Sequence, residues 1–457
     1  MYFLYSLLYC VVLLFLLPLH YLKRPKQLRK RWLREKFGFI NPSLSPLAKG
    51  GIEGVYGSES IRTKGGIIWV HAVSVGEVMA ALPLLKKLRE KYPSKSIILS
   101  TITDSGQKVG REGAPEGTSV VYLPFDIPFI LRTVLRRFKP ELLITIETEL
   151  WPNIFKIFKE HGIPVILLNG RISGNSFKGY KKIFFFMKRV LAYVDLFCMQ
   201  SELDAERIRS LGVERDRIKV LGNFKFDTNP PSAIPEWAER ISGPVLIAGS
   251  THEGEEELIM SVYRELKKDF FDLNLIIAPR HPERFQGVED LLRSKGFSFI
   301  KRSALGTQGL TPPPSPSPLE GEGRGGGELS NPERQMLTGV VLLLDSVGEL
   351  STIYGIADIA IIGKSFKGYG GQNPLEPAYW GKAIVCGPHM ENFPFIRDFY
   401  SQGASLEANE ESLYSALREL LYSPEKVKKM GDKAKEIYMK NSGAVEKAME
   451  VLTQYIR

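Results

Sequence analysis

Glu77 lies in the segment HAVSVGEVMAALPLL, which follows an apolar run ending at Val70. Ser74 and Gly76 form the turn into a helix, so the Glu77 carboxylate stands at the helix start. A carboxylate there can act as general base, taking a proton from an acceptor hydroxyl. The helix macrodipole also favours an acid in the first turn, so a plain helix-start acid is the competing reading. Glu147 and Glu149, in ETELWPN, end another apolar run and precede Trp151 and a helix-initiating Pro152. Period-two spacing aims both carboxylates at one face. Paired acids at a strand end are unusual for a purely structural role. Lys225, in GNFKFD, stands near a junction between two halves of the chain. It can stabilise negative charge in a crevice, or be a solvated surface lysine.

In the second half, LIAGSTHEGEEELI places Gly249, Ser250 and Thr251 between a strand and a helix. The backbone N–H groups of such a turn make an anion site. LIIAPRHPERF brings Pro279, Arg280 and His281 to the next strand end. Arg280 is suited to a bidentate clamp on phosphate or carboxylate, while the role of His281 stays open. Backbone at Val347, Gly348 and Glu349 opens a further helix, and Asn373, Pro374, Leu375 and Glu376 begin another after a Gly-rich loop. Glu376 can accept hydrogen bonds from ribose hydroxyls.

These positions need strands that end where they begin. Short apolar runs at Ile67–Val70, Ile97–Ser100, Val120–Leu123, Leu142–Ile146, Val165–Leu168 and Leu196–Met199 alternate with helical stretches such as Val78–Lys91 and Asn153–His161. The pattern repeats at Val245–Ala248, Leu275–Ala278, Val341–Leu344, Ile359–Ile362 and Ala383–Val385, and Glu411–Ile456 closes the chain as helix. Alternation of this kind predicts parallel sheets with helices on both faces, and ligands beyond the carboxyl ends of the strands. Asp227–Pro235, dense in proline, reads as a linker. The expected organisation is an anchor at 1–22, a first Rossmann-like domain over 23–228, and a second over 229–457. The first domain carries a basic membrane-surface segment at 23–40. The second carries closing helices and, at about 303–335, a Pro/Gly/Ser-rich insertion expected to be disordered.

At 457 residues the chain suits two domains. The net charge of +10 is local: Lys23–Lys36 holds eight basic residues and one acid, leaving +3 for everything else. That distribution argues against a nucleic-acid partner and for an anionic membrane surface. The preceding run Met1–Leu19 is apolar apart from Ser6 and Pro18 and long enough to cross a bilayer. Basic residues follow it rather than precede it, which argues against a cleaved signal and places the rest of the chain in the cytoplasm. Whether the run spans the bilayer or lies in its interface stays open. Cys10, Cys198 and Cys386 are too scattered for a disulfide framework or a zinc site. No Walker loop, nucleophile elbow or Asp-x-Asp pair occurs, so no metal and no cofactor is expected.

HAVSVGEV, ETELWPN, GNFKFD, STHEGEE, APRHPERF, GEL…YGIADIA and GGQNPLEPA occur in one order along the chain. Their order and spacing resemble those of 3-deoxy-D-manno-octulosonic acid (Kdo) transferases of Gram-negative lipopolysaccharide synthesis. The resemblance covers nearly the whole chain except the Pro/Gly/Ser insertion. It implies an α/β chain of GT-B type, with two Rossmann-like domains facing a cleft. The implied partners are CMP-Kdo as donor, a lipid A precursor as acceptor and membrane lipids. By motif, Glu77 resembles the family's proton acceptor, and Glu147 and Lys225 its transition-state-stabilising positions. Pro279–Arg280, Val347–Gly348–Glu349 and Asn373–Glu376 match segments that hold CMP. Ser250 joins the donor site by position, and Ser74, Gly76 and Glu149 join the acceptor site. Departures are Lys364 after Gly363 where a Gly pair is usual, Gln372 where His is usual, and Gly170 where Ala is common. A nucleotide-sugar epimerase or hydrolase, or a non-catalytic scaffold, are the alternatives.

Overall fold

The computed structural model describes residues 1–40, 66–227, 233–305 and 336–456. The chain divides into two units, Met1–Asn229 with Asn441–Arg457, and Pro230–Lys440. In the first, β1 (Ile67–His71), β2 (Ser96–Thr101), β3 (Thr118–Tyr122), β4 (Leu142–Ile146), β5 (Val165–Gly170), β6 (Leu196–Met199) and β7 (Ile218–Val220) form one sheet. Its order is β3-β2-β1-β4-β5-β6-β7, with every pairing parallel. β1–β6 are buried on both faces, so they read as apolar runs rather than as alternating patterns, while the edge strand β7 is partly exposed. Alternate residues feed two cores. Trp69, Ile98 and Leu143 pack on one side, and Ile68, Leu99 and Ile144 on the other.

The second unit repeats the scheme with β8 (Val245–Thr251), β9 (Asn274–Pro279), β10 (Phe299–Lys301), β11 (Val341–Leu343), β12 (Ile359–Ile362), β13 (Ala383–Cys386) and β14 (Leu406–Glu407). The order is β10-β11-β9-β8-β12-β13-β14. β10 and β14 have no counterpart among the apolar runs of the sequence. Both are short edge strands whose side chains are at most half-buried, so they lack the continuous apolar signal. Each sheet has one point where the chain turns from building one side to building the other. It lies between β1 and β4 in the first sheet and between β8 and β12 in the second. Ligands bind at such switch points, beyond the carboxyl ends of the strands.

The expected domain boundary is corrected at the C-terminus. The closing helix Ala444–Leu452 belongs to the first unit, not the second. Its face of Ala444, Ala448, Met449 and Leu452 completes the core formed by Val78, Ala81 and Leu85. The Asp227 carboxylate accepts the N–H groups of Gly443 and Val445, capping the helix. Asp227 is therefore a structural anchor rather than linker, and 228–232 lie outside the described residues. Of the insertion expected at about 303–335, residues 303–305 belong to the folded unit. Arg302–Ala304 form a 3-10 turn and Leu305 is buried in the core, while 306–335 lie outside the described residues.

Tyr2–Lys23 is one helix, long and apolar enough to cross a membrane, and Lys26–Lys36 is a second. The basic segment is only in part a free surface. Arg24 pairs with Asp104 at 3.0 Å, and Arg31 donates to the Val120 carbonyl at 2.7 Å. Lys36 is buried. Lys23, Lys26, Lys30 and Arg34 remain exposed.

Candidate functional site

In the first unit the expected acids gather at the switch point. Ser74 caps the helix Val75–Lys91, accepting the Glu77 N–H. Its hydroxyl donates to Glu77 Oε1 at 2.8 Å, and the Val73 N–H donates to Oε2 at 2.8 Å. Glu77 is thus a rigid, capping-box-like acid, only 8% exposed. A Cβ on Gly76 would meet nothing closer than the Ser74 hydroxyl at 4.0 Å, so the backbone here is open to a ligand. Burial raises the Glu77 pKa against these two donors, and the negative charge of Glu147 adds to the rise.

Glu147 and Glu149 converge for a different reason from the one the spacing suggested. β4 ends at Ile146, and Glu147 sits in the left-handed region at φ +59°. Period-two alternation therefore stops before the pair. A residue without glycine's freedom held there carries about 1–2 kcal/mol of strain. Burial, and then the charges of Glu77 and Glu147, push Glu149 up to about 7. All three carboxylates thus feel one another. Lys225 lies on the 3-10 turn Phe224–Asp227, which packs against the helix that begins beside Glu77. That turn is tied to the end of β5, where Asn169 Oδ1 accepts the Phe224 N–H at 3.0 Å.

The Glu149 shift makes a prediction. An acid whose folded pKa is raised destabilises the fold once it must ionise. The penalty is absent below about 4.5, grows as pH rises towards 7, and is complete above it. Glu149→Gln should therefore stabilise the chain at pH 8 by about 1–3 kcal/mol and leave it unchanged at pH 4. Thermal unfolding at the two pH values checks this, and an equal effect at both would contradict it.

The second unit places its expected residues at the carboxyl edge of its own sheet. β8 runs through Thr251 with an irregular register, so Ser250 lies within the strand end rather than in a separate turn, at φ +56°. Pro279 ends β9, and Arg280, exposed, donates its N–H to the Thr251 carbonyl at 3.1 Å. Burial raises the Glu376 pKa, while the Asn373 amide and the charge of Arg280 oppose the rise. Arg280 and Glu376 are therefore electrostatic neighbours. Asn373 also accepts the Leu375 N–H at 3.1 Å, opening the short helix Leu375–Tyr379, with Pro374 at its cap. Val347 and Gly348 are exposed after β11. The Glu349 side chain forms a two-pronged pair with Arg302 at 2.8 and 2.9 Å, leaving only its backbone for a ligand. His281 is half-exposed, its ring 5.5 Å from that of His252.

One residue of this site had no role assigned from sequence. Glu255, in STHEGEE, is fully buried. Its carboxylate accepts four backbone N–H groups, from His252 at 2.9 Å, Lys364 at 2.7 Å, and Ser365 and Phe366 at 3.0 Å each. It thereby ties the end of β8 to the loop after β12, across the switch point. Both loops are constrained there. Lys364 takes the left-handed conformation at φ +57°, and a Cβ on Gly363 would lie 2.2 Å from the Ser250 carbonyl oxygen. Three consecutive acids opening a helix were the available signal. Sequence could not separate Glu255 from Glu257, whose carboxylate is paired with surface Lys295.

Two parallel α/β units, each with its polar groups at a switch point, define a glycosyltransferase-type architecture of the GT-B class. Solved structures share it: Acinetobacter baumannii MurG (12% identity, TM-score 0.51, covering 85% of this chain and 99% of that one) and Neisseria meningitidis UDP-GlcNAc 2-epimerase (12%, 0.52, 85% and 100%). Likeness at that level shows the fold alone. Sequence goes further. Residues 31–228 match the family model of 3-deoxy-D-manno-octulosonic-acid transferase (kdotransferase). The Haemophilus influenzae 3-deoxy-D-manno-octulosonic acid transferase is 35% identical over 414 residues, 88% of this chain and 90% of that one. The Bordetella pertussis enzyme is 30% identical over 404 residues, covering 85% and 87%. The chain belongs to the 3-deoxy-D-manno-octulosonic acid transferase family, and it is a glycosyltransferase of Kdo.

Proposed function

We propose that this chain transfers Kdo from CMP-Kdo to a lipid A precursor of the lipid IVA type, at the cytoplasmic face of the inner membrane, with inversion and without a metal. The carrying observation is Glu77: a buried carboxylate of raised pKa, locked by Ser74 and the Val73 N–H at the switch point of the first unit. A base held in that way takes the proton of a primary hydroxyl on the lipid-linked glucosamine disaccharide. The hydroxyl oxygen attacks the anomeric carbon of Kdo from the face opposite CMP, whose phosphate leaves. Arg280 and the backbone N–H groups at the strand ends of the second unit offset charge on that phosphate. Glu376 and Asn373 hold the ribose side of the donor, and Glu147 and Lys225 shape the field around the attacking oxygen. Ser74, Gly76 and Glu149 line the acceptor side.

The test is transfer from CMP-Kdo, generated in situ, to a tetraacylated precursor. Kdo-bearing lipid together with CMP supports the proposal. CMP and free Kdo formed equally without acceptor would mean a hydrolase. No turnover by folded protein would mean another substrate or a scaffold. Activity abolished by EDTA and restored by a divalent cation would overturn the metal-free part.

A further inference from the structure

The apolar N-terminal helix has two faces, although composition alone shows one greasy run. Tyr2, Tyr9, Leu13, Leu17 and Tyr21 recur at about four-residue spacing and pack on the core of the first unit. Polar contacts fix the same face. The Tyr5 hydroxyl donates to Asp126 Oδ2 at 2.8 Å, and the Asn153 amide donates to Ser6 Oγ at 3.0 Å. Arg24, just beyond the helix, pairs with Asp104. These contacts run from the first turn to the last, about 33 Å at 1.5 Å per residue. The opposite face is bare: Phe3, Leu4, Leu7, Leu14, Phe15 and Leu19 are exposed, Phe3 by 81% and Phe15 by 71%.

A helix held along its whole length by a folded domain cannot cross a bilayer without carrying that domain into the hydrocarbon. Pulling it free would strip the tyrosine face and leave the fully buried Asp126 without the Tyr5 hydroxyl. An apolar stripe of this extent does not stay in water either. The helix Phe184–Leu191 touches the N-terminal helix through Phe186, 5.7 Å from the Tyr2 ring and 5.8 Å from Tyr5. It carries exposed Phe185, next to exposed Ile183, Lys181 and Lys182. At the other end stand exposed Lys23, Lys26, Lys30 and Arg34. An apolar stripe bordered by cations matches the acyl and headgroup layers of an anionic leaflet.

We propose that Tyr2–Lys23 lies in the plane of a single anionic leaflet as an integral part of the first unit, and does not span the bilayer. This rests on the reading of the chain as a membrane enzyme, and it fixes how the membrane is met. The N-terminus and both units then lie on the same side.

The test uses full-length protein with an epitope at each end, in sealed inner-membrane vesicles of known orientation. External protease should remove both epitopes from inside-out vesicles and neither from right-side-out vesicles. Opposite accessibility of the two epitopes would establish a span and overturn the proposal. In parallel, purified protein is floated with vesicles of phosphatidylethanolamine and phosphatidylglycerol. Leu7→Asp with Phe15→Asp should reduce flotation at least ~10-fold, with unfolding temperature unchanged because both positions are already exposed. Wild type that fails to float, or a double variant that floats equally, would also overturn it. None of these readouts depends on Kdo transfer.

Discussion

Glu77→Gln is expected to lower kcat by at least ~10²-fold while leaving the donor KM within a few-fold of wild type. Glutamine keeps the size of the side chain and one oxygen for the Val73 N–H, and its amide N–H can donate to the Ser74 hydroxyl, which turns from donor to acceptor, so the cap survives. It loses only the capacity to take a proton. The wild-type rate should also carry an acid limb. In the proposed mechanism Glu77 works ionised, and burial raises its pKa, so activity should fall with decreasing pH at values above the ordinary carboxylate range. The residual rate of Glu77→Gln should lack that limb. Glu147→Gln should slide it to lower pH, because the Glu147 charge is one of the causes that hold Glu77 up. Steady-state kinetics across pH 4–9 read all three. If Glu77→Gln retains full kcat, the base is elsewhere.

The second large effect is expected at Glu255, which touches no substrate in the mechanism above and acts through the loops it holds. Glu255→Ala leaves four backbone N–H groups without their acceptor, three of them on consecutive residues Lys364, Ser365 and Phe366. Each unsatisfied buried donor costs about 1–3 kcal/mol, and partial relaxation brings the total to about 3–5 kcal/mol. The left-handed Lys364 and the close approach of Gly363 to Ser250 are then no longer held. The donor KM should rise at least ~10-fold. Glu255→Gln keeps one acceptor oxygen but sets an amide N–H against backbone donors, so it should fall between. Glu257→Ala, an exposed neighbour paired with Lys295, is the control and should stay within about 0.5 kcal/mol of wild type. Urea unfolding together with donor titration decides the matter. Wild-type stability and KM in Glu255→Ala would show that the loops hold themselves.

The central parallel strands were legible because each is a contiguous apolar run buried on both faces, a signal that the edge strands β10 and β14 lack. That signal is local, and it located β1, β4, β6 and β12 closely. The candidate residues were legible for a related reason. In a doubly wound sheet they must follow strand ends, so Glu77, Arg280 and the Asn373–Glu376 segment could be placed without coordinates. Where the backbone leaves its regular path, strand periodicity no longer says where a side chain points. Glu147 was aimed by strand alternation, yet a left-handed residue aims it. The sequence pattern predicts a turn at Ser250, yet this residue sits in an irregular strand end.

By itself, then, the sequence determined the class of fold, the family through seven ordered motifs, and the apolar character of the N-terminus. These follow from periodicity and from short segments, which need no knowledge of distant partners. The tertiary structure alone decided three matters. Glu255 reaches Lys364 across 109 residues, Asp227 reaches Gly443 across 216, and Tyr5 reaches Asp126 across 121. The first makes a helix-start acid the tie of a switch point, the second moves the closing helix into the first unit, and the third packs one face of the apolar N-terminal helix against that unit. A carboxylate or hydroxyl carries no mark of which distant group it will meet. Its role is set when folding removes both from water and only one arrangement leaves each hydrogen-bonded.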